Sequence, residues 1–390
     1  MRKIGDIFIL IRNGASIKQK KGAKGLPITR IETIANKVID REKMGYADIF
    51  EKDKYADYIL KNEDILMSHI NSEKHLGKVA IYNKIKDEDI IHGMNLLLLR
   101  ANNNILFPRY AKYYFDTIYF LNQIATITKK SVNQASFTVT ALKNLNMPCP
   151  SIDKQKKIAN TLDKVTNLIE LRKKQLERLD LFVKSLFIEL IGSQVDNPYN
   201  FDKGCIKDVV SEVKYGTSSP AGDEGKYPYL RMGNITYDGH LDLTNLKYIT
   251  ISNDELDKYM VKKGDVLFNR TNSKELVGKT CVFDLKEPMV IAGYIIRVRT
   301  NNRVIPEYLS AVLNSKYGKQ TLFDMCKSIV GQANINAQEL QKIKLLIPPI
   351  EIQLKYKSYL QQIDKSKLAI QKSLEKLEIL KKSLMQEYFG

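Results

Sequence analysis

The stretch that decides the fold runs from Pro150 to Gly192, PSIDKQKKIANTLDKVTNLIELRKKQLERLDLFVKSLFIELIG, and is written again from Pro348 to Gly390, PPIEIQLKYKSYLQQIDKSKLAIQKSLEKLEILKKSLMQEYFG. In the first copy Ile158, Leu162, Val165, Ile169, Leu176, Leu179, Val183, Leu186 and Leu190 follow one another at spacings of three and four, with Arg172 as a polar break. In the second copy Tyr356, Leu360, Ile363, Ile370, Leu374, Leu377, Leu384 and Tyr388 do the same, with Lys367 and Lys381 as breaks. A narrow apolar seam of this period, flanked by Lys and Glu, predicts a long helix that seeks another helix. The prolines bar an earlier start, and Gly192 stands where a C-cap belongs. The 40 residues from Ile152 to Ile191 would span about 60 Å. The simplest pairing of the two helices is antiparallel, a coiled coil in which the second runs back along the first.

Working outward, Val132–Gly192 matches Val330–Gly390 at a constant offset of 198 residues. Upstream the match thins and the offset drifts from 202 to 200: Gly14-Ala15-Ser16 answers Gly216-Thr217-Ser218, Asp64-Ile65-Leu66 answers Asp265-Val266-Leu267, and Gly77-Lys78 answers Gly278-Lys279. Small loop insertions produce such drift. The chain is therefore a duplicated unit with a pseudo-twofold internal repeat. The expected organisation is globular residues 1–149, long helix 150–192, globular residues 193–347 and long helix 348–390. Within the globular parts, Ile4 to Ile11, Lys78 to Tyr82, Asn95 to Arg100, Lys279 to Phe283 and Ile291 to Val298 read as strands. Arg109 to Ile124 and Pro306 to Ser315 read as helices, and the aromatics of the former (Tyr110, Tyr113, Tyr114, Phe115, Tyr119, Phe120) as core. The expected class is α+β, two mixed α/β domains separated by two long antiparallel helices.

The chain has 390 residues, 62 Lys plus Arg against 44 Asp plus Glu, and a net charge of +18. Such a surplus favours a polyanion, nucleic acid before membrane. No apolar run is long enough to span a bilayer, and the first residues lack the apolar core of a signal peptide. Cys149, Cys205, Cys281 and Cys326 stand far apart with no CxxC pair, which predicts neither disulfides nor a zinc ribbon and places the chain in the reducing cytoplasm.

Catalytic patterns are missing. Gly278-Lys279-Thr280 ends like a phosphate loop, but Ser273 stands where the first glycine is needed. Asp196-Asn197-Pro198-Tyr199 reads as a turn. The four histidines, His69, His75, His92 and His240, lack metal-ligand spacing. The expectation is no catalytic residue, no metal and no cofactor.

Recognition chemistry remains. Polar and basic residues crowd the loops of the first unit: Lys18, Lys20, Lys21, Lys24 and Arg30; His69, Asn71, Ser72 and Lys74; Lys129, Lys130, Asn133 and Gln134. In the second unit they are Lys214, Tyr215, Thr217, Ser218 and Ser219; Arg231 and Asn234; Asn269, Arg270, Asn272, Ser273 and Lys274; Lys327, Gln332 and Asn334. Lysines neutralise phosphates, whereas Arg, Asn and Gln can read base edges. All are candidate DNA-binding residues, strengthened by recurring at matching places in both halves.

Two variable units, each followed by a repeated long helix, together resemble the specificity subunit of type I restriction–modification systems. The resemblance is carried by the Gly14 and Gly216 loops, the Asp64-Ile65-Leu66 and Asp265-Val266-Leu267 strand ends, Gln134-Ala135 with Gln332-Ala333, and the proline-to-Gln155 and proline-to-Gln353 helix entries closing on Ser185-Leu186-Phe187 and Ser383-Leu384-Met385. It covers the whole chain. It implies two target recognition domains, each reading one half of a split asymmetric sequence in double-stranded DNA. It also implies helices that space the halves and dock two adenine-methyltransferase subunits and, in the full complex, motor-nuclease subunits, with no catalysis by this chain. One departure is Gly14-Ala15-Ser16-Ile17-Lys18, further from the usual loop than Gly216-Thr217-Ser218-Ser219-Pro220. A stand-alone DNA-binding regulator is the alternative; a neighbouring methyltransferase gene separates the two.

Overall fold

A computed structural model describes residues 1–131, 134–329 and 332–390, leaving aside the side chains of 327–329 and 332. The chain divides into two compact units, Met1–Lys173 with Lys372–Gly390, and Lys174–Gln371. Each division runs through a long helix, Ile152–Ile191 or Ile350–Phe389, so each unit holds one half of both.

The first unit is built on an antiparallel sheet ordered Phe8–Asn13, Leu96–Ala101, Ile65–Ser68, Val79–Ile81. The second repeats it strand for strand as Val210–Tyr215, Ile295–Thr300, Val266–Asn269, Thr280–Val282. Even the irregularity near the start of the first strand recurs, between Phe8 and Leu10 and between Val210 and Glu212. A small three-stranded sheet follows in both, Ile70–Asn71, Ala135–Ser136, Lys129–Lys130 and Thr271–Asn272, Gln332–Asn334, Lys327–Ile329.

The repeated residues now have reasons. Asp64, 1% exposed, takes Arg100 bidentately at 2.8 and 2.7 Å, and Asp265 takes Arg299 at 2.8 and 3.3 Å. A buried carboxylate needs such a partner. Gly77 and Gly278 sit at φ +72° and +75°, where the chain turns between paired strands, so the Gly-Lys pair is turn chemistry. Gly14 and Gly216 are needed for close approach: a Cβ there would lie 2.3 Å from the Gly93 carbonyl oxygen and 2.2 Å from that of Ile291.

Three expectations need correction. Ile4–Ile7 is a helical turn before the strand Phe8–Asn13, because Ile4 and Ile7, three apart, both point into the core. The reading of Ile291–Val298 as one strand fails: Met289–Ile291 and Ile295–Thr300 are separated where Gly293 N–H donates to Thr217 O at 2.7 Å and pulls the chain aside. Arg109–Ile124 is two helices, Pro108–Phe115 and Ile118–Ile127, with the Thr117 hydroxyl capping the second through Phe120 N–H. The first unit's aromatics are core as expected, except Tyr119 at 44% exposure.

The units differ in a second sheet. In the second unit Lys247–Ile249, Tyr227–Leu230, Met289–Ile291 and Met260–Val261 form a mixed four-stranded layer. In the first the same pattern shrinks to single bridges, Ile28 with Gly45 and Ile91, and Ile59 with Ile91.

Within each unit the two helix halves run antiparallel. In the first, Lys173 pairs with Glu378 at 3.8 Å, while Phe389 reaches the core beside Ile158 and Leu162. In the second, Asp180 pairs with Lys367, and Phe187 meets Tyr356 at 5.6 Å. The seam residues are all buried or half-buried; Leu162 is fully so. The exposed ion pairs add little, about 0–1 kcal/mol each; the apolar seam carries the pairing.

Phe389 is 8% exposed, with its ring 5.2 Å from Tyr110 and 6.0 Å from Tyr114. Phe389→Ala should destabilise the first unit by about 3–5 kcal/mol. Hydrogen exchange mapped along the chain should show weakened protection in Pro108–Phe115 and little change in Pro306–Asn314; equal weakening in both would contradict this packing.

Candidate nucleic-acid interface

In the first unit Lys18, Lys20, Lys21, Lys24 and Arg30 are exposed on one loop system. The loop is pinned by Lys20 N–H to Tyr46 O at 3.1 Å and by Lys24 N–H to the Asp48 carboxylate at 3.0 Å. Ser16, Lys18, Gln19 and Arg30 line a concavity with the exposed tip Met94-Asn95. The three-stranded sheet gathers a second group. Asn71 lies in its first strand, Lys129 and Lys130 in its edge strand, and Gln134 beside them; Ser72 and Lys74 follow the first strand on the surface. Lys130 is partly neutralised by Glu73 at 2.9 Å. Asn133 lies outside the described residues.

In the second unit three of the four predicted groups converge. The Arg270 guanidinium lies 4.9 Å from the Tyr215 ring centroid, and its Nε donates to Asn334 Oδ1 at 3.2 Å. Thr271 Oγ1 donates to the same oxygen at 3.0 Å. Asn272, Ser273 and Lys274 continue from there, half-buried, with Lys274 Nζ 4.1 Å from the Phe323 ring. Ser218 and Ser219 are exposed, and Tyr229 holds their loop by donating to Thr217 O at 3.1 Å. Arg231 stands apart, its Nη2 on Asn245 O at 2.9 Å. Lys214 is tied to Glu212 at 2.6 Å. Lys327 and Gln332 are described only as strand backbone.

Four candidates face inward instead. His69, Thr217, Asn234 and Asn269 are 5%, 4%, 3% and 0% exposed. Asn234 accepts from Arg231 N–H and donates to Asp242 O, so its amide closes a turn. Thr217 Oγ1 bonds Ser219 twice, accepting from its N–H and donating to its Oγ. With its amide oriented to satisfy both atoms, Asn269 donates to the Tyr294 and Thr271 carbonyls and accepts from Asn272. These residues shape the loops. Sequence reasoning missed the tips Met94-Asn95 and Tyr294, the latter 53% exposed. The available signal was the polar residue interrupting an apolar run in one copy and following Gly293 in the other.

Among the described residues no group of three or more His, Cys, Asp or Glu could hold a metal ion, and no helix is long and apolar enough to cross a membrane. The four cysteines are not disulfide-bonded.

The family model for the type I restriction modification DNA specificity domain matches residues 1–181 and again 198–381. The chain belongs to the type I restriction–modification DNA specificity family. Members of this family recognise DNA for a restriction–modification system, assemble with its other subunits, and are not themselves catalysts. One relative, from Methanocaldococcus jannaschii and named the putative MjaX specificity subunit of a type I restriction enzyme, is 34% identical over 406 residues, covering 99% of this chain and 91% of its own length. The EcoKI specificity subunit of Escherichia coli is 22% identical, covering 93% of this chain and 82% of its own. Among solved structures, the type I restriction–modification S subunit from M. genitalium superposes with a TM-score of 0.58 at 16% identity, covering 100% of this chain and 95% of that one, a likeness of fold alone.

Burial pushes the imidazoles of His69 and His92 down to about 4. Folded, both stay neutral until the pH nears 4, whereas unfolded they take up protons near 6.5. The unfolded chain thus binds more protons between these values, and the stability of the first unit should fall as pH drops from 6.5 towards 4. Urea midpoints measured across that range should fall for the native chain and flatten in His69→Asn; an unchanged slope would remove His69 from the account.

Proposed function

We propose that residues 1–149 and 193–347 act as two target recognition domains, each reading one half of a two-part DNA sequence. Residues 150–192 and 348–390 would then be the helices on which partner subunits dock. The observation that carries this reading is one scaffold presenting unlike side chains: His69 turned inward in the first unit, Arg270 stacked on Tyr215 in the second. Equal scaffolds present their reading edges alike, and unlike residues on them select unlike bases. The exposed lysines supply sequence-independent affinity through counterion release.

Docking has its own support. Leu181-Phe182 in one copy answers Ile379-Leu380 in the other, and all four are 45–66% exposed on the helices. A repeated apolar pair on a solvent-facing helix surface fits two equivalent partner subunits. The partners we infer are two adenine methyltransferases, joined by motor-nuclease subunits in the full assembly, working in the cytoplasm.

Expressing the chain with its methyltransferase partner and mapping adenine methylation should give a bipartite motif. Replacing residues 1–149 by those of a relative should change one half of that motif and keep the other; change in both halves would end the modular reading. Replacing Lys18, Lys20, Lys21 and Lys24 together by Ala should lower affinity for all duplexes. It should also flatten the dependence of log K on log salt by about 0.9 for each phosphate no longer neutralised, with the motif unchanged.

A further inference from the structure

The geometry points to Arg270 as the residue with which the second unit reads a guanine in the major groove. The inference rests on the DNA-reading role proposed above and names one contact within it.

The guanidinium is held on three sides. Its face lies 4.9 Å from the Tyr215 ring centroid, its Nε donates to Asn334 Oδ1 at 3.2 Å, and its Nη1 lies 3.5 Å from Gly293 O. Tyr215 is itself anchored, its hydroxyl accepting from Ala337 N–H at 2.8 Å. Asn334 is fixed by Thr271 Oγ1 on the same oxygen. The backbone beneath is tied on both sides, Arg270 N–H to Tyr294 O and Ile335 N–H to Arg270 O, each at 2.9 Å.

The donors left over are informative. No carboxylate pairs with Arg270, and its Nη2 carries no hydrogen bond, among the described residues. An arginine that served only the fold would have its donors consumed, as Arg299 has by Asp265 and Glu212. Arg270, half-buried, instead keeps the Nη2 donors of its guanidinium without a partner among the described residues, while the stack and the Asn334 bond already restrict the side chain. A planar donor edge of this kind matches guanine O6 and N7, two acceptors side by side, better than any other major-groove edge. A phosphate would accept the same charge, but needs no such stacking to fix the plane. The first unit has no counterpart: after the equivalent strand end, Ser68, it places His69, buried and uncharged.

The test selects duplexes from a randomised pool with the full chain co-purified with its methyltransferase partner, comparing native protein with variants. Arg270→Ala should lose discrimination for one G·C pair, roughly 5- to 150-fold, in one half of the motif. The other half serves as internal control for folding. Arg270→Lys should keep overall affinity and lose part of the discrimination. Tyr215→Leu should blunt selection at the same pair, and Tyr215→Phe, which keeps the ring and loses only the bond from Ala337 N–H, should blunt it less. Uniform weakening of all sequences by Arg270→Ala, with a shallower salt dependence, would make Arg270 a phosphate contact and overturn the inference. So would an unchanged motif. A native protein that selects no two-part motif would instead overturn the DNA-reading role on which the inference depends.

Discussion

Two buried glutamines, one in each repeat, tie the long helices to their globular units. Gln155 is 0% exposed; its Oε1 accepts from Phe107 N–H at 2.9 Å, and its Nε2 donates to Ile105 O at 2.9 Å and Pro150 O at 2.8 Å. Gln353 does the same with Ile305 N–H at 2.9 Å, Arg303 O at 3.0 Å and Pro348 O at 2.7 Å. The residue entering the neighbouring helix has a backbone N–H, and the proline before the long helix a carbonyl, that neither helix supplies with a partner. One amide with a donor and an acceptor end satisfies both, and its removal would strand buried polar groups at about 1–3 kcal/mol each. The seam positions, the sheet edge and the loops above it all take their bearings from this junction, which is why the pattern of proline then Gln survives in both copies while the surfaces diverge.

The repeat made much of this legible. Residues identical between copies are those whose place in the fold admits few alternatives. Asp64 and Asp265 are buried carboxylates that need Arg100 and Arg299, Gly14 and Gly216 need space, and Ala135 and Ala333 fit inside a three-stranded sheet. The seam needed only periodicity. Strand limits were less legible because tertiary contacts override local pattern. In the run from Ile291 to Val298 only Gly293 hints at an interruption, and it does not announce that Thr217 pairs beside Ala292 and splits the run.

The candidate interface was legible as a composition and much less as a geometry. Polar residues in a loop either face solvent or hold the loop together, and sequence cannot separate the two when both roles favour Asn, Ser and Thr. Asn234 and Asn269 hold backbone carbonyls; Asn272 and Ser218 reach the surface. Asn334 and Tyr215, far apart in sequence, meet Arg270 only through strand register, Asn334 through its pairing with Thr271 and Tyr215 through the strand Ile295–Thr300 that it shares with Val266–Asn269.

The closure of the first unit by Phe389 has a bearing on how the protein comes to exist. Folding during synthesis ordinarily proceeds from the N-terminus, domain by domain, as the chain leaves the ribosome. Here the hydrophobic centre built by Tyr110, Tyr114 and Ile158 waits for Phe389, which follows the whole of the second unit in the chain. Until Phe389 has been made, the nascent first unit presents an open aromatic pocket, so the unit whose synthesis begins first is not the first to be completed.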